Sequence, residues 1–99
     1  MIIGNGLLAT AFKSYEKNDN VIIFASGVSC SFENDLNNFN REKELLINTI
    51  IKNTDKCIVY FSSFVDSDQK KMMYKNHKNN MVDIIKTSGL KYNIIILPQ

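Results

Sequence analysis

The sequence predicts an α/β fold in which a parallel sheet of about four strands is flanked by helices. Apolar runs of strand length occur at residues 1–3, 21–25 and 57–61, and a fourth strand is predicted at residues 92–97, which contain the apolar run 94–97. Between these runs, apolar residues recur at spacings of three and four, which is typical of helices that pack on a sheet. Strands that alternate with helices pair in parallel through right-handed crossovers. The predicted element order is therefore β-α-β-α-β-α-β.

Three helices are predicted between the strands. The first covers residues 7–15, and its apolar face consists of Leu7, Leu8, Ala11, Phe12 and Tyr15. The second covers about residues 38–53, with residues 41–44 solvated and an apolar stripe made of Phe39, Leu46 and Ile50. The third covers about residues 71–87 and ends near Ser88-Gly89, where glycine can adopt the left-handed cap conformation.

Composition and charge exclude several classes of protein. The 99 residues suffice for one domain with a modest core, and 44% hydrophobic with 22% charged residues is typical of a globular chain. A formal net charge of +2 is too small to indicate nucleic-acid binding. The apolar run at residues 94–97 is too short to cross a bilayer, and we expect no signal peptide. Cys30 and Cys57 lack metal-ligand spacing, so we expect reduced thiols, no metal site and a cytoplasmic location.

A glycine turn after the first strand predicts a dinucleotide site. The pattern is G-x-G-x-x-A, formed by Gly4-Asn5-Gly6-Leu7-Leu8-Ala9. Gly4 permits the tight turn from strand to helix, Gly6 lets the backbone approach a pyrophosphate, and Ala9 allows close helix packing. The helix N-terminus adds amide donors and the positive end of a dipole. A tight turn that binds nothing gives the same pattern, and both interpretations stay open.

An acidic residue expected of such a site is missing. In dinucleotide-binding proteins it lies about 20 residues beyond the glycines, at the end of the second strand, and it holds the ribose hydroxyls. Here the second strand runs into Phe24-Ala25-Ser26-Gly27, and Asp19 precedes that strand. The adenosine end would therefore be held differently, or the affinity for the cofactor would be low.

Side chains suited to acid–base chemistry occur in the second half of the chain. Ser62 and Ser63 end the third strand, and Tyr74 and Lys78 lie one turn apart on one helix face. An ammonium beside a phenol favours the phenolate, so Tyr74 is a candidate general acid/base. A serine hydroxyl would polarise a substrate carbonyl or hydroxyl. A core-edge tyrosine and a solvated lysine give the same pair by chance, and His77 is expected at the surface or in an interface.

Several segments together resemble a shortened short-chain dehydrogenase/reductase of the NAD-dependent epimerase/dehydratase kind. More narrowly, the chain is similar to the small members found in capsule and lipopolysaccharide sugar loci. The matching segments run in family order along the chain, and they are residues 4–9, 24–29, 59–63, 74–78 and 97–99.

The resemblance implies a Rossmann-type fold that binds NAD or NADP and acts on a nucleotide-linked sugar in polysaccharide biosynthesis. Tyr74 would be the acid/base, Lys78 would hold the nicotinamide ribose, and Ser63 would complete the catalytic set. The residues that bind the cofactor would be Gly4, Asn5, Gly6, Leu7, Leu8, Ala25, Ser26, Gly27, Ser62 and Lys78. The second and third strands of the full fold would be absent, which leaves the four remaining strands side by side.

Two departures from the family bear on activity. Phe64 stands where the family usually has its catalytic serine or threonine, and the spacing from Ser63 to Tyr74 is short. The chain also ends at Leu97-Pro98-Gln99, whereas the family builds its substrate pocket from residues beyond this strand. Residues 1–99 are therefore expected to form one cofactor-binding domain without a substrate-binding part. The alternative is a non-catalytic Rossmann-like remnant or an interaction subunit.

Broad apolar helix faces predict self-association as a homodimer. The faces belong to the helices around residues 38–53 and 71–87, and the additional apolar residues on them are Ile47, Ile51, Met81, Val82, Ile84 and Ile85.

Overall fold

A computed structural model describes residues 1–26, 35–63 and 68–97 of the chain. Its strands are β1 (Ile2–Ile3), β2 (Val21–Phe24), β3 (Cys57–Ser63) and β4 (Lys91–Leu97), and its helices are α1 (Leu7–Ala11), α2 (Leu36–Lys52) and α3 (Met72–Thr87). The strands form one parallel sheet in the order β1-β2-β3-β4. The predicted Rossmann-like α/β fold and its element order are confirmed.

The first helix is shorter than the sequence predicts. The prediction of an α-helix over residues 7–15 is wrong, because α1 ends at Ala11 and a single 3₁₀ turn, Lys13–Tyr15, follows. The helix has no side-chain cap at Gly6 and no charged residue in either terminal turn that complements its dipole. It buries only Ala9. Because a short helix depends on tertiary packing for its stability, this segment does not continue past one turn and a half.

The main core lies on the sheet face that carries α2 and α3. Side chains from β2 and β3 alternate between the two faces, and those of Ile22, Phe24, Ile58 and Tyr60 point toward these helices. The helices contribute Leu46, Ile50, Met81 and Ile85 to the same cluster. The predicted stripe of Phe39, Leu46 and Ile50 is indeed buried.

The opposite face of the sheet carries the segment that includes α1. Ile23 and Phe61 are buried there, and the Phe61 ring lies 5.2 Å from the ring of Phe12. The three crossover segments are thus divided between both faces of the sheet. No helix in the described part of the chain has the length and apolarity needed to span a membrane.

The helix residues expected to mediate self-association divide into three groups, of which the first, Val82 and Ile84 on α3, is half-buried. Met81 and Ile85 are fully buried within the chain's own core, so they are not available to a second copy. Ile47 and Ile51 on α2 are exposed. An apolar surface for self-association therefore remains on α2 but not at the two buried positions of α3.

Candidate functional site

The glycine turn joins β1 to α1 and packs against the backbone that follows β2. Gly4 has a φ of +119°, and a Cβ built there would lie 2.7 Å from the carbonyl carbon and oxygen of Ala25 and 2.8 Å from the amide nitrogen of Ser26. Three candidate cofactor-binding residues are thus in contact. This approach of two backbone segments requires glycine at position 4, whether or not a ligand binds.

The second glycine of the turn has open space around it. Gly6 is the N-cap of α1 with a φ of −86°, and a Cβ added there meets no atom within 4 Å. The adjacent cleft has a volume of about 290 Å³ and is lined by Ile2, Gly4, Asn5, Ala9, Thr10, Lys13 and Glu16. Leu7 is 91% exposed. The fold therefore leaves Gly6 free to face a ligand, although α1 is too short for a strong helix dipole.

A serine, a tyrosine and a lysine meet at the carboxyl end of β3. The Oγ of Ser63 and the Oη of Tyr74 lie 3.3 Å apart and share a hydrogen bond. The Nζ of Lys78 lies 5.5 Å from the centroid of the Tyr74 ring. The predicted juxtaposition of these side chains is present, and the short spacing between Ser63 and Tyr74 does not prevent their contact.

Lys78 binds a residue that sequence reasoning missed. Its Nζ donates a hydrogen bond to the Oη of Tyr60 at 3.3 Å and lies 5.2 Å from the centroid of that ring. Lys78 is buried rather than solvated. Tyr60 shares a face of β3 with Ser62, two residues later, so the period of a strand was the signal that could have identified it.

Burial shifts the proton equilibria of this pair in opposite directions. Burial lowers the pKa of Lys78 below its ordinary value, while the nearby Glu42 carboxylate opposes that change. Burial raises the pKa of Tyr60, and the negative charge of Glu42 adds to the effect. Tyr60 therefore stays a neutral phenol that accepts the hydrogen bond from Lys78.

A second polar pair lies between α2 and α3. The Nε2 of His77 is 3.1 Å from the Oε2 of Glu42, and both side chains are about 4% exposed or less. The Phe39 ring stacks on the imidazole with centroids 4.5 Å apart. The prediction that His77 lies at the surface is therefore wrong, and so is the prediction that Glu42 is solvated. The spacings Phe39–Glu42–Leu46 and Tyr74–His77–Met81 put both polar residues on inward-facing helix stripes.

The glycine turn and the Ser63–Tyr74 pair lie at the same edge of the sheet. Gly4 follows β1 and Ser63 ends β3, with β2 between them, so the two sites are separated by roughly 10 Å at the usual strand spacing. A dinucleotide is long enough to span that distance. Among the described residues, no group of three or more His, Cys, Asp and Glu side chains is placed to hold a metal ion. Gly27 and Phe64 lie outside the described residues.

Lys78 gives the protein a defined dependence on pH. Because its pKa in the folded state lies below 10.5, the unfolded chain binds more protons between that lowered pKa and pH 10.5. In this window the contribution of Lys78 to the free energy of unfolding therefore increases with pH. We expect the wild type to gain stability relative to Lys78→Met as pH rises from 7 to 10, measured by urea unfolding. A difference in unfolding free energy between the two proteins that does not change with pH would contradict a lowered pKa of Lys78.

The fold and the side chains described here define a small Rossmann-like α/β protein with a Ser-Tyr-Lys cluster at the carboxyl edge of its sheet. Comparison of the chain with models of known families, with curated proteins and with solved structures found no match. The class therefore rests on the sheet topology.

Proposed function

We propose that the chain binds NAD or NADP and belongs to the sugar-nucleotide epimerases, dehydratases or reductases of surface polysaccharide biosynthesis, or forms the cofactor-binding part of one. The observation that carries this proposal is the 3.3 Å contact between the Ser63 and Tyr74 hydroxyls, beside Lys78. Two hydroxyls in hydrogen-bond contact can both reach one oxygen of a substrate. The glycine turn at the same sheet edge supports the choice of a dinucleotide.

In this mechanism, the chain's own residues position the substrate hydroxyl and move its proton. Ser63 donates a hydrogen bond to that oxygen, and the Oη of Tyr74 accepts or returns the proton. The Nζ of Lys78 lies 5.5 Å from the centroid of the Tyr74 ring, so its positive charge is placed beside the residue that moves the proton. Since Lys78 is bonded to Tyr60, it acts here through its charge rather than by holding a ribose. A bound nicotinamide supplies the hydride chemistry.

The burial of the same cluster favours a second candidate function. Tyr74 is only 3% exposed, and Lys78 already has a partner inside the protein. Buried hydrogen bonds of this kind also suit a non-catalytic protein in which Tyr74 and Lys78 stabilise the packing of α3 on β3. Such a protein would act through contacts with other chains, and homodimer formation through the exposed Ile47 and Ile51 of α2 belongs to this candidate.

Cofactor binding is tested by thermal unfolding with and without NAD(H) and NADP(H). A ligand that binds only the folded state raises the midpoint by mass action, so we expect a saturable rise with one of the two cofactors. Gly6→Val is expected to abolish the rise, because its side chain would occupy the open space at the turn without a clash in the fold. Gly89→Ala, which lies after α3, serves as a control that retains the rise. No rise at millimolar cofactor would contradict the proposal.

The acid–base role is tested separately with Tyr74→Phe. We expect this variant to retain the cofactor-induced rise in midpoint and to lose about 100-fold or more in turnover of a nucleotide sugar. The loss of its hydrogen bond with Ser63 is expected to lower the free energy of unfolding by only about 1 kcal/mol. Turnover in Tyr74→Phe equal to that of an active wild type would contradict the acid–base role, and an absence of turnover in the wild type would favour the non-catalytic candidate.

A further inference from the structure

A groove between α3 and β4 extends from the serines at the end of β3 to residues that the proposed redox chemistry does not use. Its volume is about 410 Å³, within the range typical of small-molecule sites. We call it the lysine groove, and its lining residues are Ser62, Ser63, Lys75, Lys78, Asn79, Val82, Lys86, Ile94 and Ile96. It contains an apolar floor as well as a charged rim.

The floor of the lysine groove is apolar and accessible to solvent. Ile94 and Ile96 project from the same face of β4, and Val82 of α3 lies beside them. Ile96 is 65% exposed. Within the described part of the chain, β4 pairs with β3 alone, so no further strand closes the groove on its outer side. The floor can therefore accept an aliphatic or aromatic group.

The rim of the groove is positively charged along its length. Lys75 and Lys86 line the rim, the buried Lys78 lines the groove between them along α3, and no acidic side chain does so among the residues that the structure describes. Lys75 and Lys86 are roughly 16 Å apart along α3 at the helical rise of 1.5 Å per residue. Ser62 pairs with Ile96 across the sheet, so the hydroxyls of Ser62 and Ser63 lie at the end of the floor that Ile96 forms. Lys75, near the start of α3, lines the groove at the same end. This end offers ammonium and hydroxyl donors to an anion.

We propose that the lysine groove binds a small anionic amphiphile, with a carboxylate or phosphate head at the serines and Lys75 and an apolar body on Ile94, Ile96 and Val82. The concave shape and the volume fit one molecule better than the flat face of a membrane surface. The groove shares Ser62, Ser63 and Lys78 with the proposed active site, but the glycine turn contributes no residue to it, so binding in the groove does not require a bound dinucleotide.

Titration calorimetry with dodecyl phosphate and with dodecanoate, both below their micelle concentrations, tests the proposal. We expect saturable binding of one molecule per chain. Lys75→Gln/Lys86→Gln and Ile96→Asn are each expected to weaken it about tenfold, since one removes the charge and the other the apolar contact. Lys17→Gln/Lys52→Gln removes the same charge at exposed positions outside the groove and should bind within twofold of the wild type.

Three results would overturn the proposal. They are an absence of saturable binding by either probe, an equal loss in both double-lysine variants, and binding to phosphatidylglycerol vesicles but not to the monomeric probes. Gly6→Val separates this site from the proposed cofactor site. We expect Gly6→Val to bind dodecyl phosphate as the wild type does, and a loss in that variant would also count against a groove independent of the glycine turn.

Discussion

Gly4→Ala is expected to destabilise the protein by about 3 kcal/mol or more. Two effects add at this position, because alanine rarely adopts a φ of +119° and because its Cβ would meet backbone atoms of Ala25 and Ser26 at 2.7–2.8 Å. Backbone strain and overpacking each contribute about 1–3 kcal/mol. A domain of this size has a stability of only about 5–15 kcal/mol, so much of it would be lost.

Two other glycines provide matched controls for this prediction. Gly89 has a φ of +85° but open space around it, so Gly89→Ala should cost only the strain, about 1 kcal/mol. Gly6 has neither a positive φ nor a neighbour within 4 Å, and Gly6→Ala is expected to change stability by less than about 1 kcal/mol. Urea unfolding of the three variants measures the series. A Gly4→Ala loss no larger than that of Gly89→Ala would show that the close approach to Ala25 is absent.

Glu42→Leu is expected to lower the free energy of unfolding by about 3 kcal/mol or more. The carboxylate pairs with His77 at 3.1 Å, and its charge counteracts the lowering of the pKa of Lys78. Its removal leaves a buried lysine without that compensation, and leaving a buried charge uncompensated typically costs about 3–5 kcal/mol. Urea unfolding at pH 7 measures the loss.

A double-mutant cycle separates the charge effect from the loss of packing. If Glu42 acts by compensating Lys78, then Lys78→Met should recover part of the stability lost in Glu42→Leu, and the two substitutions should be strongly non-additive. Glu44→Leu is the control, because Glu44 is exposed on the same helix and its replacement should change stability by less than about 0.5 kcal/mol. Additive effects of Glu42→Leu and Lys78→Met would contradict a coupled network.

The sequence sufficed to predict the central strands β2 and β3 because residues 21–25 and 57–61 are continuous apolar runs, which is what burial on both faces demands. The left-handed glycine after α3 and the inward stripe of α2 were likewise local signals, and the structure confirms both. The juxtaposition of Tyr74 and Lys78 followed from helical spacing alone.

What the sequence could not supply depended on contacts between elements distant along the chain. Glu42 and His77 appear hydrophilic and therefore solvated, yet each faces the neighbouring helix, where the Nε2 of His77 lies 3.1 Å from a carboxylate oxygen of Glu42. The bond from Lys78 to Tyr60 likewise needs α3 to be placed over β3. The end of α1 at Ala11 reflects the little surface that this helix buries, which no spacing pattern reveals.

The strand order has a consequence for how the chain reaches its native state. Because β1, β2, β3 and β4 are neighbours in the sheet in the order in which they are synthesised, each new strand adds to the edge left by the previous one. Within residues 1–26, 35–63 and 68–97, no strand must insert between two that have already paired, so every pairing closes only a loop of one crossover. The sheet can therefore form by addition of strands at one edge, with each addition joining residues that are separated by a single crossover.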